Sequence, residues 1–352
     1  MISSWFVGDL VLERDDAKVK HVIHAIGTSS HERGKEFKAK HCPNQNPIIY
    51  NSYEGVYNDK DVDIVYIGTP HAFHYRDSMA AITAGKNVLC EKAFTMNASQ
   101  AKELIKAAKE KNVYISEAMW LRHRPLVREL VRVLHEEKAI GNILRAFTDF
   151  SSGVGDIASL PPDSRYRDLA LGAGALLDIG VYVLTWITLA LRGDASAEIE
   201  IPQIMASQIH EEGIEITTSA VLHYPSTGRH GIATCTTKEL GRPGEIFAVI
   251  YGTEGCVEVE GRAPSIPESF TVWPKQLSGE SDRCQFPREK YKGKRYDFTT
   301  PGRGFTYEAD NVALDVLEGR KESRIIPWAE TVHVMEIMDE IRRQGGTVYP
   351  GE

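Results

Sequence analysis

The chain has 352 residues, 42% of them hydrophobic and 26% charged, with a formal net charge of −8 and a pI near 5.9. That length carries two domains with hydrophobic cores of their own, and the composition is that of an ordinary globular protein. The acidic balance and the lack of any Lys/Arg run argue against a nucleic-acid partner, while saying nothing of substrate charge, because a site can be locally positive on an acidic protein.

Residues 2–12 place Ile2, Phe6 and Leu10 on one helical stripe with Trp5 beside them. Strand-like runs follow at His21–Ile26 and Val62–Gly68. Helices at 73–84 and 98–111 flank a short apolar strand, Asn87 to Cys90, that runs straight into Glu91 and Lys92. Asn97 as N-cap with Gln100 three residues on is a capping box. Ala101, Leu104, Ile105 and Ala108 form the apolar face of that second helix, and Val113–Met119 is a further strand. Strands alternating with helices predict a Rossmann-like, doubly wound parallel sheet, a dinucleotide-binding domain over residues 1–122.

The pattern changes beyond that point, and residues 123–352 read as a second α/β domain. A helix starts with Pro125 at its first position and buries Val127, Leu130, Val131 and Leu134. Strands are expected at 143–150, 198–210, 214–224, 230–238, 245–251, 255–260 and 269–273, with hairpin signals at 226–228 and 252–255. They make a large, mainly antiparallel open sheet. The polar stretch 275–303 reads as a loop, and helices at 304–319 and 327–344 close the chain.

One expected motif is missing. In a dinucleotide-binding domain the first strand runs into G-x-G-x-x-G and then a helix whose N-terminal amides hold the pyrophosphate. Here Ile2, Ser3, Ser4 and Trp5 are what would follow those glycines, and Gly8 lies inside the helix. The first strand is central in the order 3-2-1-4-5-6, so its omission leaves its neighbours about 10 Å apart, each with an unpaired edge. The sequence is therefore read as a truncated frame rather than an altered domain.

Lys92 is the first candidate for chemistry. A lysine at the carboxyl end of a buried strand loses hydration and needs a partner or a task, and that end is where ligands bind in open parallel sheets. At the end of the second strand, an Asp or Glu would select NAD by bonding a ribose 2′-OH. Thr28, Ser29 and Ser30 stand there instead, with Arg33 one turn into the next helix, which suits a 2′-phosphate and favours NADP. The plainer alternative is a Ser/Thr cap with a solvated arginine. Thr69, Pro70, His71 and His74 follow the fourth strand, where they would meet the cofactor's ribose and nicotinamide side or simply cap a helix. Trp120, Arg122 and Phe150 lie near the domain boundary, as a wall for the apolar face of a sugar or hydrocarbon ring or, equally, as interdomain core, and Trp120 and Arg122 are also candidates for cofactor contact.

The run GAGALLDIGVY, 172–182, puts Asp178 and Tyr182 at i, i+4 on one helical face. Hydride transfer between alcohol and carbonyl needs a proton relay, and a tyrosine whose pKa a lysine ammonium lowers supplies one. A structural Tyr–Asp hydrogen bond is the alternative. The five cysteines, Cys42, Cys90, Cys235, Cys256 and Cys284, are scattered with no C-x-x-C pair, so no metal site is expected from their spacing. Without a leader-like start or an apolar run of about 18 residues, a cytoplasmic protein without a membrane partner is expected.

DIVYIGTPHAFH, AGKNVLCEKAFTMN and GALLDIGVY, in this order, resemble the glucose–fructose oxidoreductase/inositol dehydrogenase (Gfo/Idh/MocA) family, in the branch that holds dihydrodiol and D-xylose dehydrogenases. The C-terminal runs Tyr307–Asp310, Met338–Arg342 and Val348–Pro350 are similar to that branch too. The resemblance implies a Rossmann domain and an open-sheet domain that often forms a homodimer. It implies that Lys92 matches the lysine of a Glu-Lys-Pro motif, and Asp178 and Tyr182 an Asp-x-x-x-His/Tyr pair. It also puts Thr69, Pro70, His74, Glu91 and Lys92 on the cofactor side and Thr28, Ser29 and Arg33 on the adenosine-phosphate side. Ala93 departs from the motif's proline, which is expected to loosen the backbone that aims Lys92. The implied activity is NADP-dependent oxidation of an aldose, such as D-xylose to its lactone, or of a trans-dihydrodiol. The rival reading, favoured by the missing loop, is a non-catalytic binding or regulatory protein.

Overall fold

The computed structural model describes residues 2–191, 199–241, 244–275 and 292–351. Cys284 and residues 276–291 of the polar stretch expected as a loop lie outside the described residues. The chain divides into two compact units, Met1–Arg124 with Thr300–Glu336, and Pro125–Thr299 with Ile337–Glu352. The first break falls near the expected boundary at 122, whereas 300–336 returns to the first unit instead of staying with the second.

In the first unit, α1 (Ile2–Leu10) precedes β1 (Ala25–Gly27), α2 (His31–His41), β2 (Ile48–Tyr50) and α3 (Tyr53–Tyr57). Then come β3 (Ile64–Ile67), α4 (His71–Thr83), β4 (Asn87–Glu91), α5 (Ala98–Lys111), β5 (Ile115–Ala118) and α6 (Trp120–His123). β3, β4 and β5 form a parallel sheet whose centre is apolar on both faces, with Val88 and Cys90 buried on one and Leu89 on the other. The capping box forms. Asn97 Oδ1 accepts the Gln100 N–H at 3.0 Å, and Gln100 Oε1 reaches back one residue further than expected, to the Met96 N–H at 3.2 Å.

β1 and β2 form a separate two-stranded parallel sheet, and no ladder joins β1 to β3. The unpaired edges expected from the missing central strand are therefore present. A cavity of about 1220 Å³ occupies the break, lined by residues 19–28 and 61–69, by α1 and by one flank of a later helix. That later helix, α9 (Phe305–Leu317), explains the return of 300–336. Its first turn is capped by Asp9 of α1, whose Oδ2 accepts the N–H groups of Arg303, Gly304 and Phe305 at 2.9, 2.8 and 3.0 Å. Arg14 adds a buried ion pair with Asp310 at 2.9 Å.

In the second unit, α7 (Pro125–Val131) leads through a π-turn into β6 (Ile143–Ser151), and α8 (Val181–Leu191) follows another π-turn at 176–180. Strands β7 (Gln203–Glu211), β8 (Ile214–Tyr224), β9 (Arg229–Thr236), β10 (Ile246–Gly252), β11 (Gly255–Ala263), β12 (Ile266–Pro274) and β13 (Lys294–Asp297) complete it. They form one eight-stranded sheet in the order β13-β12-β11-β10-β6-β9-β8-β7, antiparallel except between β6 and β9. β13 lies inside the stretch expected as a loop. Lys-Arg-Tyr-Asp is unusual for a central strand but suits an edge that pairs on one side only. α8 is buried on every side. The helical run Leu169–Leu191 is long and apolar enough to cross a membrane by length and composition, and 94% of its apolar window is buried inside the protein. α10 (Trp328–Gly345) ends the helical structure.

Candidate active-site residues

β4 ends with Glu91 opposite Ala118 of β5, so Lys92 leaves the sheet at its carboxyl end. Glu91 is 2% exposed, and its burial is offset by hydrogen bonds at both oxygens. Oε1 accepts the Tyr66 hydroxyl at 2.7 Å and Oε2 the Lys92 N–H at 3.2 Å. Burial and the facing Glu91 carboxylate hold the Tyr66 pKa well above the usual phenol value, so it stays a neutral donor. Lys92 is half-buried and joined to Ala93 by a cis peptide bond. Ala93 is fully buried and its carbonyl lies 2.9 Å from His74 Nδ1. The backbone beyond Lys92 is thus held by packing and an imidazole, at the position where the family motif has a proline ring.

His74 also bridges to the turn after β3, with Nε2 2.8 Å from the Thr69 carbonyl. Both partners are carbonyls, so the neutral ring donates to one of them only. Burial lowers its pKa, against the pull of those carbonyls and of Asp77. The Thr69 hydroxyl donates to Asp77 at 3.0 Å, and Asp77 also binds Arg76 at 2.8 Å. Pro70 is the N-cap of α4 and makes no side-chain cap bond. His71, the first residue of α4, is buried with its ring 5.5 Å from that of His74. Thr69 and His74 thus hold the backbone that follows Lys92, while Glu91 holds the Lys92 N–H. Asp77, which accepts the Thr69 hydroxyl, was not singled out in the sequence because it falls within a helical run.

Two further buried carboxyls escaped the sequence reading. Burial pushes Glu117 of β5 up to about 7, partly offset by the Thr331 hydroxyl at 3.2 Å. Burial and Glu91 raise Glu308 of α9 well above the carboxyl range, against Arg124, and neither Glu308 oxygen makes a hydrogen bond among the described residues. Glu117 sits within a largely apolar strand and Glu308 among polar helical residues, and only tertiary packing sets either against Glu91.

At the end of β1, Thr28 donates its N–H to the Tyr50 carbonyl at 3.1 Å, and Ser30 caps α2 by accepting the Arg33 N–H at 3.3 Å. The Arg33 guanidinium lies 3.4 Å from the Ser29 hydroxyl on the surface, so a hydroxyl and a cation stand together at the end of β1. Gly68, at the end of β3, lies beside the N-terminus of α1, where an added Cβ would come within 2.4 Å of Ser3 Oγ. The Ser29–Arg33 pair leaves a hydroxyl and a cation open to an anionic group at that strand end. Trp120 is buried, stacked on Phe305 at 4.4 Å with Arg124 over its ring at 4.7 Å. Arg122 is paired with Glu330 and the Ile325 carbonyl.

Tyr182 and Asp178 belong to the second unit. Tyr182, in the first turn of α8, is 4% exposed, and its ring lies 5.8 Å from that of Phe150. Asp178 lies in the π-turn, so its direction differs from that of an α-helical i, i+4 partner. It binds Arg165 at 3.2 Å, and Arg165 also donates to the Tyr166 hydroxyl at 2.8 Å. Arg165 and Tyr166 were missed because they stand in an irregular polar stretch. The π-turn itself is anchored by buried Glu215, which accepts the Leu176 N–H at 2.8 Å and the Thr218 hydroxyl at 2.6 Å. The Tyr349 hydroxyl adds a bond to the Ala173 carbonyl at 3.1 Å.

The oxidoreductase family with an NAD-binding Rossmann fold matches residues 3–119, and the Gfo/Idh/MocA C-terminal domain matches 128–258. The chain is 34% identical to a D-xylose 1-dehydrogenase (NADP(+)) of Hypocrea jecorina, over 99% of this chain and 90% of that protein. It is 31% identical to a trans-1,2-dihydrobenzene-1,2-diol dehydrogenase of Bos taurus, over 94% and 91%. A levoglucosan dehydrogenase solved with NADH and levoglucosan shares the fold at a TM-score of 0.78, covering 99% of this chain and 95% of that one at 21% identity. A 3-ketoreductase from Actinomadura kijaniata with bound NADP does so at 0.75, covering 97% and 93% at 20% identity. The chain belongs to the Gfo/Idh/MocA family and is an NAD(P)-dependent oxidoreductase of the xylose/dihydrodiol dehydrogenase type.

Proposed function

We propose that the protein oxidises the anomeric hydroxyl of an aldose such as D-xylose to a lactone, with NADP as cofactor, and that oxidation of a trans-dihydrodiol to a catechol is the related activity. The observation that carries this reading is the identity above 30%, across more than nine-tenths of the chain, to dehydrogenases with those two substrates. NADP rather than NAD is supported by the Ser29–Arg33 pair at a strand end that bears no carboxylate. Thr28, Ser29, Arg33, Thr69, Pro70, His74, Glu91 and Lys92 would hold the cofactor, which would supply a hydride acceptor for the carbinol carbon. Tyr182 takes the hydroxyl proton, so the substrate loses two electrons and two hydrogens in all. Lys92 lowers the pKa of Tyr182 and hydrogen-bonds the reacting oxygen, and Asp178, itself set by Arg165, orients the substrate. Glu91, His74 and Thr69 fix the backbone on either side of Lys92. The protein acts as a cytoplasmic homodimer.

Replacing the phenol tests the assignment. Tyr182→Phe is expected to lose turnover of D-xylose and dihydrodiol by about 10²-fold or more while keeping NADPH affinity within a few-fold, as seen by titrating NADPH fluorescence. Full activity in that variant would sink the role of Tyr182. A second reading, a non-catalytic member of the fold, rests on the break in the parallel sheet. Lack of NADPH binding by the wild-type chain at millimolar cofactor would favour it.

A further inference from the structure

We infer that Glu117 is a positioning residue for the proposed reaction: its buried carboxylate holds the Lys92 ammonium, and the turn that follows it, in place for proton transfer. The inference rests on the reading that Lys92 serves the reaction, and it adds a residue to which that reading assigns no part.

The ladder sets the geometry. Glu117 lies on β5 opposite Cys90 of β4, two residues before Lys92. Partners in a parallel ladder share a face and alternate residues return to it, so Glu117 lies on the side of the sheet from which the Lys92 side chain leaves. Glu91 lies on the other side and fixes the Lys92 N–H at 3.2 Å. Glu117 is 5% exposed, and the buried Thr331 hydroxyl of α10 donates to its Oε2 at 3.2 Å. The Phe94 N–H, two residues beyond Lys92, also bonds to this carboxyl. Glu117 therefore ties β5, α10 and the segment after Lys92 together, all within the first unit. Two neutral donors do not offset the loss of water around a buried carboxylate, so its ionised form needs a cation. Lys92 is the cation that faces it, whereas Glu91 and Glu308 face it with like charge and the Cys90 thiol lies beside it. Glutamine would serve a purely structural tie as well, because its amide oxygen accepts the same two bonds. The charge has a use only through Lys92. Burial pushes the Glu117 carboxyl up to about 7, so the hold on Lys92 is gained as pH rises through that value.

The test uses the whole 352-residue protein with two substitutions. Glu117→Gln removes the charge, and Thr331→Val removes one hydrogen bond and leaves the charge. The first readout needs neither cofactor nor substrate. Lys92 is acetylated with acetic anhydride at about pH 8, and its rate is read by peptide mass spectrometry against that of Lys106, exposed on α5. An ammonium that has lost its carboxylate gives up its proton more readily, so this ratio is expected to rise about threefold or more in Glu117→Gln. The second readout is the pH profile of kcat/KM for NADP-dependent oxidation of D-xylose. The wild type is expected to gain activity as pH rises through about 7. That step is expected to vanish in Glu117→Gln and to move to higher pH in Thr331→Val, whose lost hydrogen bond had favoured the carboxylate. A merely structural role moves neither readout. An unchanged acetylation ratio in Glu117→Gln, or an acid limb that stays in place in both variants, would overturn the inference. Should Glu117→Gln fail to fold, Thr331→Val decides: a limb at higher pH supports the inference and an unmoved one overturns it. A wild type that neither binds NADPH nor oxidises D-xylose would refute the proposed reaction, and the acetylation ratio still decides whether Glu117 holds Lys92.

Discussion

Glu117 shows what burial does to a single side chain. In the unfolded chain its carboxyl titrates near 4.5, whereas in the folded protein burial raises it to about 7. The folded state therefore binds more protons than the unfolded state between those values, and stability falls as pH rises through about 7. Glu117→Gln keeps the shape and removes the titration. Urea unfolding at about pH 5 and about pH 8 is expected to show the wild type losing about 2 kcal/mol more than the variant across that interval. Equal losses would mean that Glu117 ionises in the fold as it does in water. At the same scale, Lys92 illustrates a residue whose setting was half legible. Its place at a strand end follows from the sequence, but the imidazole of His74 that holds Ala93 does not.

At the scale of elements, local signals worked where the element makes most of its own contacts. The start of α5 is an example, since Asn97 and Gln100 complete a cap within one turn. Asn97→Ala is expected to cost about 1 kcal/mol of unfolding free energy by urea denaturation, with no change in the slope. Elements that depend on a partner were harder to read. β1 is three residues long where six were expected, because it has a ladder on one side only. β13 reads as loop in the sequence because its charged residues suit an edge. The π-turn at Asp178 was invisible because its anchor, Glu215, stands on a strand far along the chain.

For the whole molecule, the large sheet of the second unit carries a cross-strand row made by Met205, Val221, Ile232, Phe147 and Val249, partners in successive strands. Each is exposed or half-buried, so a continuous apolar row crosses five strands. The proposed homodimer would cover it. Ile232→Glu is expected to halve the mass measured by light scattering, with the circular dichroism of the fold retained; an unchanged mass would place any dimer contact elsewhere.

The residue order by itself determined the alternation of strands and helices, the large antiparallel sheet and the motifs of the family. Each of these is written in short-range periodicity or in a contiguous motif. The tertiary structure alone decided that 300–336 returns to the first unit, through Asp9 on the α9 terminus and Arg14 on Asp310. It alone set Glu117 and Glu308 against Glu91, Arg165 against Asp178, and a cavity where two sheet edges stay open. These are pairings between distant residues, and no local pattern encodes which buried carboxyl or which bare edge will meet another once the core has closed.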